Sequence, residues 1–365
     1  MSLTSVLLAG GGTAGHVSPL LAVADALRRR HPQVRVTVLG TSEGLEARLV
    51  PERGYDLALV PRVPMPRRPS AALLRLPGAL DGAVAAAGRV VDRTQAQVVV
   101  GFGGYVSTPA YLAARRRGVP IVVHEQNARP GLANRLGARL TDHVATTFAD
   151  TALPHARRVG MPLRRLVTTL DRPALRAQAL RFFGLDDAGP TLLVTGGSLG
   201  AQRLNEAMAA RADALSARGI QVLHVTGAGK QFRPQRPGAG AAYVVVPYVE
   251  RMDLAYAAAD LVVCRAGAST VCELTAVGLP AVYVPLAIGN GEQRFNAAEV
   301  VAAGGGWLVD NADFTPAWID AHLVSLLGDG PALARMGRAA ASVGRRDADD
   351  ALAQLVEAAV GQVRG

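Results

Sequence analysis

Two glycine-rich turns, each set between a buried-type strand and a helix, constrain this chain more than any other feature. The first follows Ser5-Val6-Leu7-Leu8-Ala9 and reads Gly10-Gly11-Gly12-Thr13-Ala14-Gly15-His16. The second follows Thr191-Leu192-Leu193-Val194-Thr195 and reads Gly196-Gly197-Ser198-Leu199-Gly200-Ala201. Such a turn leaves backbone N–H groups unpaired at a helix N-terminus, where the helix dipole favours an anion. Two of them suggest two similar α/β halves facing one phosphorylated ligand.

A length of 365 residues fits two domains, and 50% hydrophobic residues can fill two cores. The 39 basic residues exceed the 29 acidic ones, for a formal charge of +10. That balance suits nucleic acid, anionic lipid or a phosphorylated substrate, and an arginine-rich proteome gives it too. No zinc-ligand spacing, RNP-type aromatic motif or basic tail is present, so no nucleic-acid partner is expected. Cys264 and Cys272 lie in apolar sequence and read as core residues of a reducing compartment. The start, Met1-Ser2-Leu3-Thr4-Ser5, lacks a basic n-region and reads as a first core strand. No apolar run approaches the roughly 20 residues that span a bilayer, so membrane attachment would be peripheral.

Strand and helix patterns alternate throughout, which implies parallel sheets covered by helices. Strands are expected at Val6–Ala9, Val34–Leu39, Leu57–Val60, Val98–Val100, Ile121–His124 and His143–Ala145 in the first half. In the second half they are expected at Leu192–Thr195, Val222–Thr226, Tyr243–Pro247, Leu261–Cys264, Ala281–Pro285 and Trp307–Val309. First-half helices fit Pro19–Arg30, Gly44–Arg53, Ala79–Thr94, Thr108–Gly118 and Gly131–Leu140. Gly and Pro punctuate the pattern at Val159-Gly160-Met161-Pro162, which places the join there. Residues 1–162 then form one domain, 163–340 a second, and 341–365 a C-terminal helix that could return to the first.

Gly10, Gly12 and Gly15 match the dinucleotide fingerprint G-x-G-x-x-G, which also wants an acidic residue ending the second strand. That strand instead ends Leu39-Gly40-Thr41, which weakens a nicotinamide role. Gly103-Gly104-Tyr105-Val106-Ser107 is a third glycine turn, and His124-Glu125-Gln126-Asn127 ends the next strand. Open α/β sheets bind ligands at these carboxyl strand ends. In the second half, Arg265 to Glu273 follows a strand; Gly267 allows the turn and Ser269 or Thr270 can cap the helix. Glu273 falls on the face of Ser269, where a carboxylate could hold both ribose hydroxyls or sit in solvent. The polar run Ala287 to Asn296 ends the following strand at the same sheet edge.

In order and spacing, these motifs resemble the MurG family of inverting N-acetylglucosaminyltransferases in peptidoglycan synthesis. The resemblance runs from Gly10–Pro19 through Gly103–Ser107, His124–Asn127, Pro130–Asn134, Gly160–Arg164 and Gly196–Ala201 to Arg265–Glu273 and Glu292–Ala297. It implies the GT-B architecture, an α/β fold of two Rossmann-like doubly wound parallel-sheet domains facing a cleft. It also implies UDP-N-acetylglucosamine as donor and an undecaprenyl-diphosphate-linked muramyl-pentapeptide as acceptor. By that resemblance the backbone of Ala268, Ser269, Thr270 and Val271 and the Glu273 side chain would hold uridine and ribose, with Val249 beside the uracil. Ser198 would face the diphosphate, and Gln293 and Asn296 the sugar. Thr13, Ala14, Gly15, Asn127 and Arg164 would complete the donor site. The family usually has Gly where this chain has Ala14, a costly departure only if the position needs positive φ.

Inversion by direct displacement needs stabilisation of the departing diphosphate and a general base for the acceptor hydroxyl. Helix N-terminal amides at Gly197–Gly200 and the charge of Arg164 can supply the first. His16 is the first candidate base, because an imidazole titrates near neutral pH; it could instead cap its own loop. Glu125 is the second, with His124 structural or orienting. No Asp-x-Asp motif is placed on the diphosphate, so no metal or other cofactor is expected. Leucines amid arginines over Met65–Pro77 suit an anionic membrane surface on the cytoplasmic side, or form an ordinary covering loop. The competing readings are a UDP-sugar transferase with another acceptor and a dinucleotide-binding oxidoreductase.

Overall fold

The computed structural model describes residues 3–63, 72–197, 201–227, 229, 240–286 and 291–362. They form two compact units, Met1–Arg164 with Asp347–Gly365, and Arg165–Arg346. The first unit holds β1 (Ser5–Ala9), β2 (Arg35–Gly40), β3 (Asp56–Leu59), β4 (Val99–Gly101), β5 (Ile121–Glu125), β6 (Val144–Thr146) and β7 (Ala156–Arg158). These make one sheet in the order β3-β2-β1-β4-β5-β6-β7, with every pairing parallel. The second unit holds β8 (Thr191–Thr195), β9 (Gln221–Val225), β10 (Tyr243–Val246), β11 (Leu261–Cys264), β12 (Ala281–Tyr283) and β13 (Gly306–Leu308). Their order, β10-β9-β8-β11-β12-β13, repeats the same doubly wound plan in parallel register.

The strands read as unbroken apolar runs because helices cover both faces. In β1, Val6 and Leu8 enter one core, while Leu7 and Ala9 enter the core on the opposite face. The first of these cores also takes Leu352, Ala353, Leu355 and Val356 from the C-terminal helix Ala348–Gln362. That helix lies against α1 (Ala14–Arg30). Asp349 pairs with Arg29 at 2.8 Å, and Glu357 meets Arg30 at 2.7 Å and His31 at 2.8 Å.

Three elements depart from the sequence expectation. Helix α1 starts at Ala14 rather than Pro19, because the amides of His16 and Val17 both reach the Thr13 carbonyl and close a turn before the proline. Helix α3 (Ala72–Thr94) likewise begins before Ala79, with Pro77 inside it. Strand β7 was not expected; all three of its residues are exposed at the sheet edge, so it carries no apolar signal. No helix among the described residues is long and apolar enough to cross a membrane. Of the leucine–arginine stretch Met65–Pro77, residues 65–71 and the side chains of 72–76 lie outside what is described.

Candidate functional site

In each unit the strand order reverses beside the first strand, between β1 and β4 and between β8 and β11. Open α/β sheets bind ligands outside the carboxyl ends of the strands at such a reversal. Of the sequence candidates, Thr13 to His16 follow β1 and Ala268 to Glu273 follow β11, while Glu125 ends β5 and Asn127 follows it, Arg164 follows β7, Val249 follows β10, and Gln293 and Asn296 follow β12.

In the first unit, Gly12 turns the chain with φ of 89°. Its amide donates to Glu46 Oε2 at 2.8 Å. Glu46 opens α2 (Glu46–Glu52), and its Oε1 accepts from the Thr41 amide and hydroxyl, both at 2.9 Å. Burial alone would raise this carboxyl; the Gly12 and Thr41 amides, its own amide and the Thr41 hydroxyl hold it below the usual range. Ala14 lies in the first turn of α1 and is not among the positive-φ residues, so replacing the family's glycine there strains nothing.

His16 is half-buried in that same turn. Its Nδ1 lies 3.1 Å from the Thr13 hydroxyl. The ring edge faces Gly103, whose φ of 86° exposes bare backbone; a Cβ there would come within 3.3 Å of both His16 Nε2 and Asn134 Nδ2. Burial lowers the His16 pKa, against the opposing pull of the Gly11 backbone and the Glu46 charge. The imidazole is therefore neutral, and able to accept a proton, at neutral pH.

Glu125 ends β5 fully occupied. Its Oε1 accepts from the Asn127 amide at 2.9 Å, and its Oε2 from the Gly131 amide at 3.0 Å and Asn134 Nδ2 at 2.9 Å. Burial raises its pKa, while those donors oppose. Asn134, from α5 (Leu132–Gly137), also donates to the His124 carbonyl at 3.1 Å and accepts from the Tyr111 hydroxyl at 2.8 Å. His124 is buried, spans to the Gly160 carbonyl at 2.9 Å, and has its pKa lowered by burial to about 4. It therefore orients the loop that leads to Arg164.

In the second unit, Gly197 has φ of 82° and donates to the Thr195 hydroxyl at 3.3 Å. Ser198 and the rest of 198–200 lie outside the described residues. After β11, Gly267 caps the helix Ala268–Val277, which has no acidic residue in its first turn and no side-chain cap. The Ser269 hydroxyl is buried there without a partner among the described residues. Tyr256 donates its hydroxyl to Glu273 Oε2 at 2.6 Å. Asn296 reaches the Ala266 carbonyl at 3.2 Å, which joins the 292–296 helix to the β11 turn. Gln293 Oε1 accepts from the Leu286 amide at 2.9 Å. Val249 is buried, and 287–290 lie outside the described residues.

Sequence reasoning assigned no role to Glu46, Asn134 or Tyr256. Glu46 lies two residues after Gly44, and its contact with Gly12 is 34 residues away in sequence. The other two are visible only as contacts across elements.

A glycosyltransferase family 28 N-terminal domain matches residues 6–146, and the family 28 C-terminal domain matches 191–352. A Streptomyces avermitilis protein is 58% identical over 97% of this chain and 98% of its own length. A Nocardioides protein is 60% identical over 96% and 97%. Both are named UDP-N-acetylglucosamine–N-acetylmuramyl-(pentapeptide) pyrophosphoryl-undecaprenol N-acetylglucosamine transferase. The chain belongs to the MurG family of glycosyltransferases. The crystal structure of Acinetobacter baumannii MurG superposes with a TM-score of 0.80 at 29% identity, over 97% of this chain and 99% of that one. The fold is thus GT-B-like. A UDP-GlcNAc 2-epimerase from Neisseria meningitidis, bound to UDP-GlcNAc, shares that fold at a TM-score of 0.68 and 14% identity, over 97% of this chain and 100% of that one.

Proposed function

We propose that the chain transfers N-acetylglucosamine from UDP-N-acetylglucosamine to the C4 hydroxyl of an undecaprenyl-diphosphate-linked muramyl-pentapeptide, with inversion. The observation that carries this is near-full-length identity of 58% and 60% to two transferases so named. The turn chemistry supports it. The open turn at Gly267, with the orphan Ser269 hydroxyl and Glu273 on the same helix, offers amides and a carboxylate to a uridine ribose. Ser198 with its neighbouring amides and Arg164 take the diphosphate, and Gln293 and Asn296 the sugar. Thr13, Ala14, Gly15 and Asn127 complete the donor site, and Val249 lies beside the uracil. Glu46 sets a carboxylate on the Gly12 amide, where a dinucleotide would need its pyrophosphate, so an oxidoreductase reading loses its support.

In the reaction the acceptor oxygen attacks the anomeric carbon, the bond to the diphosphate breaks, and the hydroxyl proton passes to His16 Nε2. Glu125 has both oxygens on loop donors, which suits it to hold the Asn127–Gly131 loop in shape. Leu73, Leu74 and Leu76 amid arginines are proposed to rest on the cytoplasmic face of an anionic membrane; their replacement by Ser should reduce sedimentation with anionic liposomes, and equal sedimentation would move the patch elsewhere.

The test is turnover of UDP-N-acetylglucosamine with the lipid-linked acceptor. A β-linked disaccharide product is expected, and its absence with a folded enzyme overturns the reading. His16→Ala should lower kcat by roughly 10²–10⁴-fold, the range for a positioned base. A large loss in Glu125→Gln beside a small one in His16→Ala would transfer the base to Glu125.

A further inference from the structure

Glu46 has no part in the reaction as written, yet its side chain is fully buried against the first glycine turn. Burying a carboxylate is costly unless donors replace its water. Here the donors are neutral: the amides of Gly12 and Thr41 and the Thr41 hydroxyl. A negative charge held by neutral donors keeps its field, unlike one cancelled by an ion pair. Three glycines clear the space it fills. A Cβ on Gly40 would lie 2.5 Å from Glu46 Cγ, and a Cβ on Gly11 or Gly44 would overlap the carboxylate itself.

We infer that Glu46 is a positioning residue for the His16 base: it occupies the anion cradle of the first turn, fixes the Gly12–Thr13 backbone from which Thr13 orients the ring, and stabilises the imidazolium formed as the acceptor proton arrives. This rests on the assignment of His16 as base. Thr13 and the Gly11 backbone face the ring from its own loop, Asn134 from α5 and Gly103 from the loop after β4. Glu46, from α2, is the charged group that acts on it. The Gly12 amide is consequently taken by Glu46 rather than left for a substrate phosphate.

The test compares Glu46→Gln, His16→Ala and the double variant with wild type, after thermal melts establish folding. Glutamine keeps the size, loses the charge and turns an N–H toward either the Gly12 or the Thr41 donors. By NMR, the His16 imidazole should titrate at lower pH in Glu46→Gln. Its kcat should fall about 10- to 100-fold, the scale of a misplaced catalytic group, with donor KM changed less than about threefold. The double variant should lose no more than His16→Ala alone, because coupled residues are not additive. An unmoved His16 titration, or an unchanged kcat in Glu46→Gln while His16→Ala is crippled, overturns the inference. A fully active His16→Ala instead overturns the base assignment, and the titration still decides whether Glu46 acts on the ring. If Glu46→Gln does not fold, the wild-type Gly12 amide serves. Its shift should follow Glu46 protonation below the usual carboxylate range, and an amide that ignores that titration overturns the inference.

Discussion

The turn after β1 is closed by the protein's own anion, whereas the turn after β11 is left open. At the first, Glu46 takes the Gly12 amide at 2.8 Å. At the second, Gly267 starts a helix with no side-chain cap and no acid in its first turn, and the Ser269 hydroxyl has no partner among the described residues. Both follow the central strands of sheets with the same winding. A glycine turn at a switch point is thus a cradle whose occupant is set by other residues. In this account the closed turn carries the chemistry through His16, and the open turn carries donor affinity.

The comparison has a limit, because each sheet also holds one buried neutral histidine. Burial lowers His124 to about 4 and His224 to about 3. A histidine whose folded pKa is depressed binds its proton better in the unfolded chain, so stability falls as pH drops below the ordinary value near 6.5. By pH 4 each should have removed about 3 kcal/mol, at 1.36 kcal/mol per pKa unit. Urea midpoints measured from pH 7 to 4 should fall steadily, and a flat profile would refute the buried-neutral assignment for both units.

The next largest effect comes from making the open turn resemble the closed one. Ser269→Asp puts a carboxylate on the first-turn amides, where the helix dipole welcomes it. Donor affinity should fall about tenfold to a hundredfold, the scale of hydrogen bonds to charged groups, while thermal stability holds or rises slightly. Unchanged donor affinity in calorimetry would take Ser269 out of the site. The smallest effect expected is that of Tyr256→Phe. It removes the 2.6 Å hydroxyl bond to Glu273 and should cost about 1 kcal/mol of donor affinity. A loss equal to that of Glu273→Ala would mean that Tyr256 itself contacts donor.

The sheet plan was legible in the sequence because buried parallel strands read as apolar runs between glycine turns. Twelve of the strands were placed to within a residue or two; β7 was missed because Ala156, Arg157 and Arg158 are all exposed. The helix starts were less legible, since Pro19 looks like a first-turn proline and Pro77 like a residue before a helix, yet both sit inside longer helices. Within the candidate site, the spacing of Ser269 and Glu273 placed both on one helix, which the structure forms over Ala268–Val277, whereas the Thr13–His16 contact in the first turn was not expected. Glu46 on Gly12 spans 34 residues, and Tyr256 on Glu273 spans 17, so neither pair leaves a local pattern.

The most direct test of the division between the turns is calorimetry of UDP binding to Glu46→Gln and Glu273→Ala beside wild type. Glu273→Ala should weaken UDP by about 1.5–3 kcal/mol, the range for hydrogen bonds to a charged group. Glu46→Gln should leave UDP affinity within about threefold, because the closed turn contributes to turnover rather than affinity. A folded Glu46→Gln that loses UDP affinity as severely as Glu273→Ala, or a Glu273→Ala that binds UDP normally, would contradict the account.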